Sequence, residues 1–318
     1  MNTTIRFHQY GAPDVLQVED GEIGIPRPGQ VRLRHEAIGV NFIDTIFRQG
    51  IYPVALPSVP GVEGAGVVES VGPGVDGVAV GDRVAYFLAP GSYAAVRLIN
   101  AAALVKLPDD VSTEQAATIL TKGLTAWAAL NGFHALKAGE TVLVQGASSS
   151  VGLLVSRWAR ALGAMVIGTA GSGAKRDALM GSLDHALLSG DPELASKVRR
   201  IVPAGVDVVY EFVGQATFVA SAAAVRDGGT IVNIGAASGA PAVDQAALAA
   251  RQVRVLGGPM AQHLQGPAQA VATAAVFDAF RKGVFGALDV TRYPLAQAAR
   301  AHEDIAARRR SGTLILVP

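Results

Sequence analysis

The sequence has no cysteine among its 318 residues. Disulfide bonds, thiolate zinc sites and cysteine nucleophiles are therefore excluded. Neither sign of charge dominates, because the formal net charge is +1, and aromatic residues make up only 6% of the chain. A surface that binds single-stranded nucleic acid normally combines basic residues with stacking aromatics, so we expect no nucleic-acid partner.

Long hydrophobic runs are also missing. Apolar stretches stay shorter than the ~18–20 residues of a membrane helix. The N-terminal segment MNTTIRFHQYG has neither the charged start nor the apolar core of a signal peptide. We therefore expect a cytoplasmic protein with no membrane partner.

The length of the chain and the spacing of its apolar runs predict two domains of different type. Residues 1–121 hold short strand-like runs separated by Gly/Pro turns, which is typical of a compact β-rich domain, either barrel-like or a sandwich. Residues 122–257 alternate strand and helix patterns, which predicts an α/β domain with a doubly wound parallel sheet. Residues 258–318 contain too few elements for a domain of their own, so we expect them to complete the first one.

The most informative stretch is TVLVQGASSSVGLLVSRWARALG, residues 141–163. Its pattern predicts a strand at 141–145, a turn of small residues and a helix at 151–162. That order places backbone N–H groups and the positive end of a helix dipole beside a phosphate. We interpret the stretch as the pyrophosphate turn of a dinucleotide-binding domain.

The spacing in this turn departs from the common fingerprint G-x-G-x-x-G. The small positions are Gly146, Ser149 and Gly152, so one expected glycine is a serine. Serine can approach a phosphate and donate a hydrogen bond, but it resists positive φ. An ordinary β–α turn of any α/β domain is the alternative interpretation.

The end of the second strand of this domain indicates which dinucleotide is bound. An acidic residue there binds the ribose 2′-hydroxyl of NAD, whereas neutral or basic residues accept the 2′-phosphate of NADP. The sequence reads TAGSGAKR at residues 169–176, with no acid before Asp177. Ser172, Lys175 and Arg176 are therefore candidate phosphate ligands, and NADPH is the expected cofactor. A solvated start of a helix at 174–181 is the alternative.

Two later strands of the same domain end in glycine, at Gly214 and Gly235. Ligands of doubly wound sheets bind beyond the carboxyl ends of the strands. Both glycines are therefore candidate walls of the nicotinamide pocket. A simple turn-forming role for each is the alternative.

Five motifs occur in a characteristic order along the chain: VNFIDTIFRQGIYP, PGVEGAG, GDRV, KGLTAW and QGASSSVG. Together with the returning C-terminal strand they resemble the quinone oxidoreductase branch of the medium-chain dehydrogenase/reductase superfamily. The resemblance implies a GroES-like barrel domain and a Rossmann domain. It also implies NADPH-dependent hydride transfer to a quinone or an α,β-unsaturated carbonyl, and a homodimer.

The resemblance also assigns cofactor contacts by position. Thr125 matches a residue near the nicotinamide, and Ser150 and Val151 match the pyrophosphate contact. Lys175 and Arg308 match the basic contacts of the 2′-phosphate. For Arg308 the alternative is a basic residue that complements the dipole at a helix C-terminus.

Zinc alcohol dehydrogenases share the implied architecture. The resemblance places their zinc-binding cysteine and histidine at Asn41 and Val62 of this chain. Neither side chain is a usual zinc ligand, and a catalytic zinc site needs three ligands from the protein. We therefore expect hydride transfer without a metal.

Without a metal, a hydrogen-bond donor has to stabilise the negative charge that develops on the acceptor oxygen. Asn41 can donate from its amide to the substrate or to a cofactor ribose. Tyr52 can donate or relay a proton as a general acid, and similar enoyl reductases carry a catalytic tyrosine at this place. A rim aromatic that packs on Pro53 is the alternative for Tyr52.

Two other functions stay open on the sequence. One is an enoyl-thioester reductase in which Tyr52 is the proton donor. The other is a non-catalytic protein whose binding of a partner is gated by NADPH.

Overall fold

The computed structural model describes residues 2–307 and 312–318. The chain forms two compact units, which we call unit 1 (Met1–Thr121 with Leu288–Pro318) and unit 2 (Lys122–Ala287). Among the described residues no helix is both long and apolar enough to cross a membrane.

The strands and helices follow one another along the chain in the pattern of an α/β protein. The strands are β1 (Asn2–Arg6), β2 (Gln17–Gly21), β3 (Gln30–Val40), β4 (Gly64–Val71), β5 (Arg83–Tyr86), β6 (Val96–Asn100), β7 (Val105–Lys106), β8 (Thr141–Gln145), β9 (Met165–Ala170), β10 (His185–Leu188), β11 (Val206–Glu211), β12 (Val225–Asn233), β13 (Arg254–Gly257), β14 (Val290–Pro294) and β15 (Thr313–Val317). The α-helices are α1 (Phe42–Arg48), α2 (Thr113–Trp127), α3 (Ser150–Ala161), α4 (Gly173–Asp177), α5 (Leu194–Ile201), α6 (Phe218–Ala224), α7 (Gln245–Ala250), α8 (Pro267–Arg281) and α9 (Ala298–Ala306).

Unit 1 is built on a sheet with the order β14-β15-β3-β4-β5-β7, in which β6 also pairs with β3. The last strand closes onto the first half of the chain, because β15 runs antiparallel to β3 with Leu316 opposite Ile38. Burying the alternate apolar residues of these strands forms the core. One core cluster includes Ile5, Phe7, Ile38, Tyr93, Tyr293 and Leu316.

Helix α1 follows β3 directly and carries the first predicted catalytic residue at its start. Asn41 precedes the helix, and its backbone N–H donates to Asp44 Oδ2 at 2.9 Å, which satisfies a group that would otherwise lack a partner at a helix start. Gly50 ends the segment with φ at +75°, a conformation that favours glycine. Helix α1 therefore lies between the capped start at Asn41 and the turn at Gly50.

Unit 2 contains a parallel sheet with the order β10-β9-β8-β11-β12-β13. The predicted doubly wound sheet is confirmed, and it has the strand order of a Rossmann fold. All five residues of β8 are buried, as expected for a central strand covered by helices on both faces. The strand order reverses between β8 and β11, which is where ligands of such sheets bind.

The helix expected at 174–181 is shorter in the structure, since α4 ends at Asp177. Beyond it, hydrogen bonds that span three residues tighten the chain, from Leu179 N–H to Arg176 O and from Met180 N–H to Asp177 O. Gly181 then reverses the chain with φ at +84°. Leu179 is buried at this turn.

The segment that returns to unit 1 begins at Leu288, whereas the sequence suggested residue 258. The reason is packing by α8 and the residues after it. A Cβ on Gly123 would lie 2.6 Å from Val276 Cγ1, so α8 packs closely on the second half of α2. Phe285 also packs edge-on against Trp158 of α3, with ring centroids 5.5 Å apart.

Candidate active site

The turn after β8 is shaped by its small residues. Gly146 has φ at +75°. A Cβ at Gly152 would lie 2.2 Å from the carbonyl oxygen of Gly146, so a side chain there would force the turn open. Ser149 caps α3, since its Oγ accepts from Gly152 N–H at 3.1 Å and donates to Gly146 O at 2.8 Å. Serine is therefore suited to its place, where it fills the N-cap role.

The N–H groups that this turn can offer to a ligand come from the first residues of α3. The N–H groups of Ser150 and Val151 have no acceptor among the described residues, as is usual at a helix start. The N–H of Gly146, in contrast, donates to Thr169 Oγ1 at 3.1 Å. The turn therefore fits a phosphate held by Ser150 and Val151 at the positive end of the helix dipole.

The residues after β9 differ in how far they are already engaged by neighbours. Ser172 begins α4, and its Oγ accepts from Lys175 N–H at 3.4 Å. The guanidinium of Arg176 is held by Asp177, with Nε donating to Oδ1 at 2.9 Å. Asp177 thus engages the guanidinium of Arg176. The hydroxyl of Ser172 and the ammonium group of Lys175 are of the chemical types that bind a phosphate.

The predicted glycines at the ends of β11 and β12 allow two loops to touch. Gly214 has φ at +94°, and a Cβ there would lie 2.3 Å from the carbonyl oxygen of Gly239. A Cβ at Gly235 would lie 2.3 Å from the carbonyl oxygen of Phe212. Both positions need glycine because a neighbouring backbone approaches closely.

Thr125 lies on α2 within unit 2. Its hydroxyl donates to the Sδ of Met260 at 2.9 Å. A thioether is a weak acceptor, so this bond can be exchanged for a stronger one to a ligand at little cost. Arg308, the remaining predicted cofactor residue, lies outside the described residues.

In unit 1, the amide of Asn41 is fixed by a buried acid. Its Nδ2 donates to Glu63 Oε1 at 2.8 Å, and Glu63 is only 1% exposed. Glu63 Oε2 accepts from Thr121 N–H at 3.3 Å. Gly39 leaves the space for this carboxylate, because a Cβ there would lie 2.1 Å from Glu63 Oε1. The orientation of the Asn41 amide is therefore set by its hydrogen bond to a buried carboxyl oxygen.

The side chain of Tyr52 is held in place by its neighbours much less firmly than that of Asn41. It is 56% exposed. Its ring lies 6.3 Å from that of Phe47 in a tilted contact. This environment suits an amphipathic aromatic at a rim, and it leaves the phenol accessible to solvent.

Unit 1 also buries titratable side chains behind α1. The Tyr93 hydroxyl donates to Asp44 Oδ2 at 3.1 Å and lies 2.9 Å from His302 Nε2. Burial, with the neighbouring Asp44 carboxylate, raises the pKa of Tyr93 well above its usual value. Burial and the charge of Arg48 lower the pKa of His302 to about 3, so His302 is neutral at ordinary pH.

A second buried histidine lies on β3. His35 Nδ1 is 2.6 Å from the carbonyl oxygen of Ala94, so that nitrogen carries the proton and donates. Its Nε2 therefore accepts from the Tyr86 hydroxyl at 2.7 Å. Burial lowers the pKa of His35 to about 3 and raises the pKa of Tyr86 to about 12.

Comparison with known proteins places this geometry in a class of dehydrogenases. The family described as "Alcohol dehydrogenase GroES-like domain" matches residues 27–109. The family described as "Zinc-binding dehydrogenase" matches residues 150–275. The predicted GroES-like domain is therefore confirmed beside the Rossmann sheet.

Similar proteins show to which family of dehydrogenases the chain belongs. Quinone oxidoreductase from Pseudomonas aeruginosa is 38% identical, over 100% of both chains. A 2-haloacrylate reductase from a Burkholderia species is 37% identical, over 98% of both chains. The crystal structure of Escherichia coli quinone oxidoreductase complexed with NADPH superposes with a TM-score of 0.95 at 34% identity, covering 99% of this chain and 100% of that one. The chain belongs to the quinone oxidoreductase branch of the medium-chain dehydrogenase/reductase superfamily, and it is an oxidoreductase.

The zinc in one family description does not fit the residues of this chain. The amide of Asn41 is engaged by Glu63, and Val62 offers only an alkyl side chain. Over residues 2–307 and 312–318, no group of three or more His, Asp or Glu side chains has the arrangement of a metal site. The donor set therefore lacks the three ligands that a catalytic zinc requires.

Two buried acids, Glu63 and Glu211, are not among the site residues that the sequence predicts. Glu63 accepts a hydrogen bond from the amide of Asn41, and Glu211 accepts one from Ser221 at the end of β11. Both lie in short, largely apolar segments that contain glycine, PGVEGAG and DVVYEFVG. A carboxylate in such a place needs several donors, which is a signal for a buried polar cluster.

Proposed function

We propose that this chain is an NADPH-dependent reductase that transfers hydride to a quinone or an α,β-unsaturated carbonyl compound. The observation that carries the proposal is the turn at residues 146–152, with the N–H groups of Ser150 and Val151 at the start of α3. The relative from Escherichia coli, complexed with NADPH, supports the choice of cofactor. The relatives named quinone oxidoreductase and 2-haloacrylate reductase support the class of acceptor, since 2-haloacrylate is itself an α,β-unsaturated carboxylate.

The cofactor would be held by residues of unit 2. Ser150 and Val151 would donate to the pyrophosphate, with the turn kept narrow by Gly146, Ser149 and Gly152. Ser172 and Lys175 would bind the 2′-phosphate, which NAD lacks. The walls around the nicotinamide would include Thr125, Gly214 and Gly235. Arg308 is proposed as a further phosphate contact on the family resemblance alone.

When bound, the dinucleotide would supply the hydride, and the role proposed for Asn41 concerns the acceptor. Hydride addition places negative charge on the acceptor oxygen, and a preorganised donor stabilises it. One N–H of the Asn41 amide is engaged by Glu63. We assign the second N–H to the acceptor oxygen or to a cofactor ribose. Because Glu63 already orients the amide, no reorientation is needed during the reaction.

The decisive experiment compares NADPH with NADH against a panel of quinones, enones and enoyl thioesters. We expect NADPH oxidation with quinones or enones, a clear preference over NADH, and no effect of a metal chelator. If the chain binds NADPH tightly and turns over no acceptor, the proposal fails. The non-catalytic alternative would then be tested by a gel-shift titration with single-stranded RNA, with and without NADPH.

We also propose a homodimer in the cytoplasm. Strand β13 lies at the edge of the sheet of unit 2, and an edge strand can pair with its copy across a two-fold axis. Val255→Pro removes a backbone N–H in this strand. Light scattering should then give half the mass of the unsubstituted protein, and an unchanged mass would remove the edge-pairing proposal. A cytoplasmic location suits an enzyme that needs a regenerated NADPH pool, and cell fractionation tests it.

A further inference from the structure

A buried chain of polar side chains crosses the sheet of unit 2 at the point where the strand order reverses. Its members are Thr169 on β9, Gln145 at the end of β8, Ser221 on α6 and Glu211 at the end of β11. All four are 0% exposed. Gln145 and Glu211 lie side by side in the register of β8 and β11.

The hydrogen bonds that link these four side chains all donate in the same direction, from Gly146 N–H toward the carboxylate of Glu211. Gly146 N–H donates to Thr169 Oγ1 at 3.1 Å, and the Thr169 hydroxyl donates to Gln145 Oε1 at 2.7 Å. Gln145 Nε2 donates to Ser221 Oγ at 3.0 Å, and the Ser221 hydroxyl donates to Glu211 Oε2 at 2.7 Å. Each hydroxyl therefore accepts one bond and donates one.

The other oxygen of Glu211 holds the neighbouring loop. Glu211 Oε1 accepts from the N–H groups of Val213 at 2.8 Å and Gly214 at 3.0 Å. It also accepts from the Thr217 hydroxyl at 2.8 Å. One buried carboxylate thus anchors the loop after β11 directly and the turn after β8 through three intervening side chains.

The carboxylate of Glu211 sets the direction, because its two oxygens accept the hydrogen bonds from Val213, Gly214, Thr217 and Ser221. Since Ser221 donates to it, the orientation of Gln145 follows. Thr169 is then left with a lone pair for Gly146 N–H. A neutral amide at position 211 would place a donor opposite Ser221. The chain would then reverse or break, and a buried hydroxyl would lose its acceptor.

We propose that Glu211 is a positioning residue for the dinucleotide: through Ser221, Gln145 and Thr169 it holds Gly146 in the conformation that lets the turn receive the pyrophosphate. The inference rests on the proposed function, because it assigns the occupant of the turn. A turn that is ordered before binding costs less entropy when the ligand arrives. Glu211 itself does not touch the cofactor in this scheme.

The sign of the effect separates this role from plain electrostatics. A negative charge near a pyrophosphate repels it, so on charge alone Glu211→Gln would tighten NADPH binding. The positioning role requires the opposite. We expect Glu211→Gln to weaken the equilibrium binding of NADPH about tenfold, since a buried hydrogen bond to a charged group is lost from the chain.

Variants at Thr169, at the other end of this series of hydrogen bonds, keep the proposal testable even if the Glu211→Gln protein does not fold. Thr169→Val removes the acceptor of Gly146 N–H, and Thr169→Ser keeps it. Thr230→Val is the matched control, because Thr230 is also a buried strand threonine whose hydroxyl bonds to a side chain, Arg254. Binding is measured by the quenching of protein fluorescence, with NADPH and separately with 2′-AMP, which reaches only the 2′-phosphate site.

The expected result has three parts. Thr169→Val and Glu211→Gln weaken NADPH binding and leave 2′-AMP binding unchanged, Thr169→Ser binds NADPH as the unsubstituted protein does, and Thr230→Val changes neither. The proposal is overturned if Glu211→Gln tightens NADPH binding, if Thr169→Val has no effect, or if Thr230→Val weakens binding equally. If the unsubstituted protein does not bind NADPH, the proposed function fails first.

Discussion

Units 1 and 2 stabilise their buried polar groups in different ways. Unit 2 uses hydroxyls and an amide arranged in a single direction toward the carboxylate of Glu211. Unit 1 uses histidines and tyrosines, with His35 on Tyr86 and His302 beside Tyr93. A histidine that unfolding exposes takes up a proton within the range of ordinary buffers, whereas hydroxyls and amides do not. Unit 1 is therefore expected to be the acid-sensitive part of the molecule.

The two candidate catalytic residues of unit 1 differ in how firmly their side chains are held. The Asn41 amide is oriented by a buried carboxylate, while Tyr52 is largely exposed and has a tilted ring contact with Phe47. Preorganised groups contribute most to catalysis. The structure therefore favours Asn41 over Tyr52 as the group that acts on the acceptor.

The largest effect is expected from the turn of unit 2. Gly152→Ala places a Cβ 2.2 Å from the carbonyl oxygen of Gly146. Overpacking of this kind costs about 2–3 kcal/mol, so NADPH affinity should fall on the order of 100-fold. Gly190→Ala is the control, since a Cβ there meets no atom within 4 Å. Calorimetric titration measures both, and equal affinities would contradict the assigned turn.

The next effect concerns Asn41 in unit 1. Asn41→Ala removes the oriented amide, and kcat/KM with a quinone should fall about 100-fold, as for the loss of one donor to a developing oxyanion. NADPH affinity should change little if the amide acts on the acceptor, and by a similar factor if it binds the cofactor ribose. Asn131→Ala, an exposed asparagine on unit 2, is the control. A loss below threefold would remove Asn41 from the site.

The acid response should differ between the units. The pKa of His35 is lowered from 6.5 to about 3, so the unfolded chain binds more protons between these values. The stability due to neutral His35 is complete above pH 6.5 and is lost as the pH falls, by roughly 2 kcal/mol from pH 6.5 to pH 5. Hydrogen exchange at pH 7 and pH 5 should show faster opening of β3 than of β11. Equal changes in both strands would contradict the comparison.

A substitution at His35 tests whether this residue causes the acid response. His35→Gln lacks the titrating ring, so the unfolding free energy should depend less steeply on pH than in the unsubstituted protein. His185→Gln, which alters an exposed histidine of unit 2, serves as its control. If both variants keep the original slope, the acid response does not come from His35.

The smallest effect is expected at Tyr52. Tyr52→Phe removes only an exposed phenol hydroxyl, so turnover with quinones should fall by less than about threefold, as for a side chain without a fixed partner. Enoyl thioesters provide the sharper measurement. A much larger loss with enoyl thioesters than with quinones would establish Tyr52 as the proton donor and restore the alternative activity.

Local pattern was sufficient for a large part of the fold. The strand at 141–145 coincides with β8, and the helix expected at 151–162 differs from α3 by one residue at each end. Ser112 and Gln115 form the capping box that their spacing predicts, with Ser112 N–H donating to Gln115 Oε1 at 2.8 Å. These features depend on residues close together in the chain, so they are readable from the sequence.

Features that depend on distant residues were not readable in the same way. The returning segment begins at Leu288 because α8 finds its packing partner on α2, and no local pattern contains that partner. The role of Glu63 depends on Asn41, 22 positions away, and Glu211 reaches the turn at Gly146 through side chains on three other elements.

The residue types and short spacings of this chain predict a turn suited to a dinucleotide and the alternating strands and helices of a doubly wound sheet, because each is formed by residues close together in the sequence. Which amides and carboxylates meet inside the two units depends on the pairing of strands far apart in the chain. Hydrogen bonds are short and directional, so their partners are defined only once β3, β4, β8, β9 and β11 are packed in register.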